Sequence, residues 1–187
     1  MIRGVSEVLI SRDSIAERVR ELGAELSETL RTELEKEGST PDAPDRIVLI
    51  PVLTGAIVFL ADLIRQMPLA MSMRMVSVQS YPGATTESKG AMLRSALPDD
   101  LTGRHVVIVD DIYDTGQTLS LLQKLIRELS PASLRTCVLL RKEARRIVEA
   151  DVEHVGFDIP DAFVVGYGLD YNGHYRNLPD IMTMSED

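Results

Sequence analysis

Apolar residues along this chain follow two rhythms. Residues 4–10 alternate over a short stretch and predict a strand. Ser11 or Asp13 then offers a cap, and Ile15, Val19, Leu22, Leu26, Leu30 and Leu34 recur at three- and four-residue steps, predicting a long amphipathic helix. Glu37 to Asp45 is a loop by its Pro, Ser and Gly content. Arg46 to Val52, RIVLIPV, has the unbroken apolar run of a strand buried on both faces. Leu53-Thr54-Gly55 turns into a helix, AIVFLADLIRQM, and Ala70 to Gln79 follows as a strand whose Met71, Met73 and Met75 read as core filler. Ser80 to Pro98 has no strong periodicity and is too long for a plain connector, which favours a functional lid.

Val106 to Val109 is the next strand, capped at its carboxyl end by Asp110 and Asp111. The turn Asp114-Thr115-Gly116-Gln117-Thr118 leads into a helix reaching about Ser130, with apolar positions Leu119, Leu121, Leu122, Leu125 and Ile126. A further strand covers Leu134 to Leu140; residues 155–179 read as a short strand, a Pro turn, a second strand and an aromatic-rich tail. Strands alternating with helices predict an α/β fold with a mainly parallel sheet covered on both faces. Ligands in such sheets sit beyond the strands' carboxyl ends, so Thr54-Gly55 and Asp114 to Thr118 can converge.

Those turns carry the candidate chemistry. A helix N-terminus offers unpaired N–H groups and the positive end of the dipole, and phosphate binds there. Gly116 lets the backbone approach an anion, and Thr115 and Thr118 add hydroxyl donors. Asp110 and Asp111 are unsuited to direct phosphate contact and suit ribose hydroxyls or a hard cation such as Mg²⁺.

Composition narrows the function further. The 187 residues are 44% hydrophobic and carry a formal charge of −9, so one domain over 1–187 and no broad nucleic-acid surface are expected. No apolar run is long enough to span a membrane, and the opening residues lack a signal peptide's apolar core, so a cytoplasmic protein is expected. The single cysteine, Cys137, lies in an apolar strand pattern and reads as a small buried side chain, while His105, His154 and His174 have no ligand spacing.

The string VVIVDDIYDTGQTL resembles the 5-phosphoribosyl-1-pyrophosphate (PRPP) motif of the type I phosphoribosyltransferases. Together with VGFDIPDAFVVGYGLDYNGHYRNLP it resembles the purine-specific hypoxanthine-guanine branch, from about Ile47 to Asp180. The resemblance implies a mainly parallel twisted sheet flanked by helices, a small hood from about 1–12 and 150–187, and a mobile lid over about 80–98 that begins at Ser80 and Tyr81. It also implies transfer of the phosphoribosyl group from PRPP to N9 of hypoxanthine, and of guanine, with Mg²⁺.

Residue by residue, Asp114 matches the carboxylate that acts on purine N7, and Asp110 and Asp111 match the acidic pair near the ribose hydroxyls and Mg²⁺. Thr115, Gly116, Gln117 and Thr118 match the 5′-phosphate loop; Thr54 and Gly55 match the first pyrophosphate loop. Lys142 matches the donor to the purine's O6, Phe163 the stacking ring, and Val164 a backbone contact to the base. Asp170 matches a residue near the base and a second Mg²⁺, and Arg176 a pyrophosphate contact.

The chain departs from the family pattern at Thr54, where Lys or Arg is usual, at Asp110, where Glu is commoner, and at Ala162, often a longer polar residue. A homodimer or homotetramer is expected, with PRPP and a 6-oxopurine as small-molecule partners. Two alternatives stay open: an RNA-binding regulator of pyrimidine genes built on the same fold, and a non-catalytic nucleotide sensor. Hypoxanthine, guanine and xanthine all remain compatible with the base pocket.

Overall fold

A computed structural model describes residues 5–80 and 91–184. Tyr81 and the segment 81–90 of the expected lid lie outside the described residues. Strand β1 (Val5–Ile10) leads into helix α1 (Arg12–Lys36). Ser11 is its cap, its Oγ accepting from the Ser14 N–H at 3.2 Å. The helix buries Ile15, Val19, Leu22, Leu26, Leu30 and Leu34 as one stripe, as their spacing predicts. It ends where Gly38 turns to φ +70° and the Ser39 N–H returns to the Leu34 carbonyl.

Next come β2 (Ile47–Leu53), α2 (Ile57–Leu63) with a 3-10 turn at Ile64–Gln66, β3 (Ser72–Met73), β4 (Val76–Ser80) and β5 (Ala91–Leu93). The remainder is β6 (His105–Tyr113), α3 (Gln117–Arg127), β7 (Ser133–Arg141), β8 (His154–Asp158), β9 (Val164–Val165) and β10 (Ile181–Met184). Among the described residues the main sheet runs β5-β4-β2-β6-β7-β8, with β3 also on β2. Only the β4–β5 pair is antiparallel. A separate antiparallel sheet, β1-β10-β9, joins the two ends of the described chain.

Alternation of side chains across the sheet explains the unbroken apolar strands. Ile47, Leu49, Val107, Val109, Cys137 and Leu139 face the layer of α1 and α2. Val48, Ile50, Val52, Val106, Ile108 and Val138 face the layer of α3. Both faces are therefore apolar, and β2, β6 and β7 lie between two cores.

Four expectations change. The strand expected over Ala70 to Gln79 is two pieces, β3 and β4, separated at Arg74, whose N–H turns to the Leu49 carbonyl at 2.9 Å. Met73 and Met75 are not core: they are 43% and 54% exposed, because the break turns them out at the sheet margin. Strand β6 does not stop before Asp110 but pairs with β7 as far as Tyr113↔Arg141, so both aspartates lie within it. Helix α3 stops at Arg127 rather than near Ser130, where φ turns to +53°. In addition, His154–Asp158, placed with the hood by its position in the chain, is the outermost main-sheet strand, parallel to β7.

Candidate active site

The carboxyl ends of β2 and β6 open on a cavity of about 790 Å³. Parallel strands put these ends on one side of the sheet, where the chain leaves its hydrogen-bonding ladder and the helix that follows points its N-terminus back. Its wall includes Thr54 and Gly55 after β2, Asp110 and Asp111 in β6, and the whole turn Asp114 to Thr118. Phe163, Asp170 and Arg176 close it from the C-terminal segment. Lys142 and Val164 are not in that wall. Val164 is buried in β9, and Lys142, only 4% exposed, has its N–H on the Tyr113 carbonyl at 2.9 Å. Ser80 ends β4.

Two close approaches hold this geometry. An ideal Cβ on Gly55 would lie 1.7 Å from Asp111 Oδ2, so the turn after β2 can press on the carboxylate only without a side chain. Gly116, at φ +84°, is the N-cap of α3, and a Cβ there would lie 1.9 Å from the Val148 carbonyl oxygen. The Thr115 carbonyl accepts from the N–H groups of Ile147 and Val148 at 3.0 and 3.1 Å, tying the segment after β7 onto this turn.

The wall combines four carboxylates, Asp110, Asp111, Asp114 and Asp170, with the guanidinium groups of Arg145 and Arg176. Burial and the adjacent Asp111 push the Asp110 carboxyl well above the usual range, although the Asp111 N–H donates to its Oδ1 at 3.0 Å. Burial also pushes Asp111 up, against the pull of its own hydrogen bonds and of Arg176. Arg176 is fixed by donation to the Gly168 carbonyl at 2.6 Å and by an ion pair with Asp170 at 2.7 Å. Asp170 Oδ2 in turn accepts from the Gly173 N–H at 2.7 Å. Phe163 is 47% exposed and meets Tyr171 edge-on at 5.6 Å, leaving ring surface at the cavity.

Asp114 Oδ1 is the telling atom. It is buried and, among the described residues, has no hydrogen-bond partner, in a residue that lines the cavity. A buried acceptor without a protein donor is costly, so a donor from the cavity, water or a bound molecule, would stabilise it. Burial pushes the Lys142 ammonium below its ordinary pKa, while the Asp114 and Asp161 carboxylates oppose that shift. Its Nζ is 3.9 Å from Asp161 Oδ1.

The phosphoribosyl transferase domain family matches residues 11–172. A hypoxanthine-guanine phosphoribosyltransferase of Mycobacterium avium is 40% identical over 180 residues, 96% of this chain and 86% of that protein. A hypoxanthine phosphoribosyltransferase of Haemophilus influenzae is 40% identical over 172 residues, 92% of this chain and 91% of its own. This chain belongs to the hypoxanthine-guanine phosphoribosyltransferase family.

The solved structures agree. A variant of the Trypanosoma cruzi hypoxanthine phosphoribosyltransferase, complexed with the product IMP, superposes with a TM-score of 0.86 at 33% identity, over 100% of this chain and 93% of that one. Neither the RNA-regulator nor the sensor alternative finds support in the names of these relatives. Among the described residues of this phosphoribosyltransferase no helix is long and apolar enough to cross a membrane.

Sequence reasoning missed two contributors. Arg145 lines the cavity, and Asp161 pairs with both Arg145 and Lys142. The available signal was the basic run Arg141-Lys142 to Arg145-Arg146 directly after a strand, and the acid in IPD. Asp110 and Asp111, expected near one Mg²⁺, stand apart from Asp170, expected near a second, and among the described residues no three acidic, His or Cys side chains are placed to hold one ion. Asp110 and Asp111 are neighbours in β6, whereas Asp170 belongs to the C-terminal segment and is paired with Arg176.

Proposed function

We propose that this chain transfers the 5-phosphoribosyl group of PRPP to N9 of hypoxanthine, and of guanine, giving IMP or GMP and pyrophosphate. The observation that carries the reading is a single cavity joining a phosphate-type helix N-terminus to an exposed aromatic ring, with the unpartnered Asp114 Oδ1 in its wall.

The turn Thr115 to Thr118 takes the 5′-phosphate, through its N–H groups and hydroxyls and the dipole of α3. Asp110 and Asp111 take the ribose hydroxyls. Phe163 stacks on the base, the backbone of Val164 bonds its edge, and the Lys142 ammonium donates to O6. The bond from ribose C1 to the pyrophosphate oxygen breaks as N9 bonds to C1, and the N7 proton passes to Asp114. Thr54, Gly55 and Arg176 hold the leaving pyrophosphate. Arg176 supplies a charge there, and Thr54 only a hydroxyl.

The Asp110–Asp111 pair fits Mg²⁺. Two adjacent, desolvated carboxylates with raised pKa present hard oxygen ligands whose repulsion a divalent cation relieves. Asp170 offers a separate carboxylate for a second ion near the pyrophosphate. Bound Mg²⁺ supplies neutralisation of the leaving group's charge.

Base choice follows from pairing. An ammonium meets an acceptor in a 6-oxopurine but an amino donor in adenine, and leaving both unpaired costs about 1–3 kcal/mol. In this reading the protein works in the cytoplasm as a homodimer or homotetramer, and the exposed Met73 and Met75 offer apolar surface to a second copy.

The deciding experiment is pyrophosphate release from PRPP and Mg²⁺ with each purine in turn. Release with hypoxanthine and guanine, and little with adenine, is expected. No release with any purine refutes the enzyme reading, and equal use of adenine refutes the Lys142 pocket.

A further inference from the structure

One carboxylate oxygen of this protein serves two cations. Asp161 Oδ1 lies 2.8 Å from Arg145 Nε and 3.9 Å from Lys142 Nζ. The three differ in setting: the Lys142 side chain is 5% exposed, those of Asp161 and Arg145 41% and 55%. Arg145 is part of the cavity wall, whereas Lys142 is buried and is not among the residues that line it.

We propose that Asp161 is a positioning residue for base recognition, dividing one oxygen between Arg145 and Lys142 and so setting how firmly the Lys142 ammonium is held for the purine. The proposal rests on the reading of Lys142 as donor to the 6-oxo group. A lysine works as that donor only while protonated, and burial opposes protonation. Among the described residues three charged groups act on it. Asp114, from the turn after β6, and Asp161, from the turn after β8, favour the ammonium; Arg145, from its own loop, disfavours it. Arg145 acts twice, by its own charge and by its hold on the shared oxygen. Asp161 and Arg145 therefore act on Lys142 with opposite signs, although they form an ion pair with each other.

The test is the pH profile of kcat/KM for hypoxanthine at saturating PRPP, in wild type, Asp161→Asn and Arg145→Gln. Comparison with wild type at each pH cancels the purine's own ionisation. In Asp161→Asn the alkaline limb moves to lower pH, so its deficit widens by about threefold or more from neutral to alkaline pH, with the KM for PRPP unmoved. In Arg145→Gln the limb moves the other way. Both side chains are part-exposed, and far-UV circular dichroism verifies that the variants are folded.

Profiles parallel to wild type in both variants, or shifts in the same direction, overturn the proposal. Lys142→Ala separates the layers. If it loses hypoxanthine turnover while the other two profiles stay parallel, only the positioning role fails. If it keeps turnover, the base-reading role fails and this proposal with it.

Discussion

Replacing Asp114 by Asn isolates the proton-accepting step. The two side chains have nearly the same shape, and Asn Oδ1 can still accept a hydrogen bond from the purine N7–H. The ground-state bond, worth about 0.5–1.5 kcal/mol, is therefore largely kept. What is lost is a group able to take the proton. Asp114 Oδ1 is buried and has no partner among the described residues, so it is free to accept that proton. Loss of a positioned general base typically costs about 10²–10⁴ in rate, or about 2.7–5.5 kcal/mol of transition-state stabilisation.

A second, smaller loss follows from charge. Asp114 is the largest influence holding Lys142 in its ammonium form against burial, so in Asp114→Asn that ammonium deprotonates at lower pH and the deficit deepens in alkali. Steady-state kcat with hypoxanthine should fall at least about a hundredfold, with PRPP affinity by titration calorimetry little changed. Pyrophosphorolysis of IMP should fall in parallel, since the same group returns the proton in reverse. Turnover within about threefold of wild type would remove Asp114 as the acceptor.

Gly116→Ala should cost at least about 1–2 kcal/mol from its φ of +84° alone, with more from the 1.9 Å approach to the Val148 carbonyl. Urea unfolding and IMP titration should both weaken, and unchanged IMP affinity would contradict the phosphate role of this turn. Leu26→Ala, at a fully buried position of α1, should lose about 2–5 kcal/mol in denaturant unfolding; a loss under about 1 kcal/mol would mean that the stripe is not packed as described. Burial pushes the Cys137 thiol up to about 12. Its neutral form thus contributes stability that is full below the unfolded thiol's pKa of about 8.5 and is lost as pH rises towards about 12. Cys137→Ala should show a shallower decline in stability over that window, and an equally steep decline would refute the assignment.

Much of the fold was legible because burial leaves a local trace. The α1 stripe and its Ser11 cap follow from spacing and side-chain chemistry within a few residues. The runs in β2, β6 and β7 follow from having a core on each face. The misreadings of the strands share a cause: pairing partners distant in the chain overrode the local pattern. Continued pairing with β7 carries β6 through Asp110 and Asp111 to Tyr113. The register on β2 breaks Ala70 to Gln79 into two pieces and leaves Met73 and Met75 at the margin. β8 joined the main sheet for the same reason.

The site divides along the same line. By itself the sequence determined which residue types stand together: two carboxylates at a strand's end, a glycine and hydroxyls at a helix start, and an aromatic segment with a lysine upstream. Such clusters are set by neighbours in the chain, so they can be read from it. Only the tertiary structure decided that Gly55 touches Asp111, that Asp114 Oδ1 is left without a donor among the described residues, and that Asp161 stands between Arg145 and Lys142. Those facts depend on distances across strands and turns far apart in sequence, and on how much water packing removes between them. No local pattern encodes either quantity.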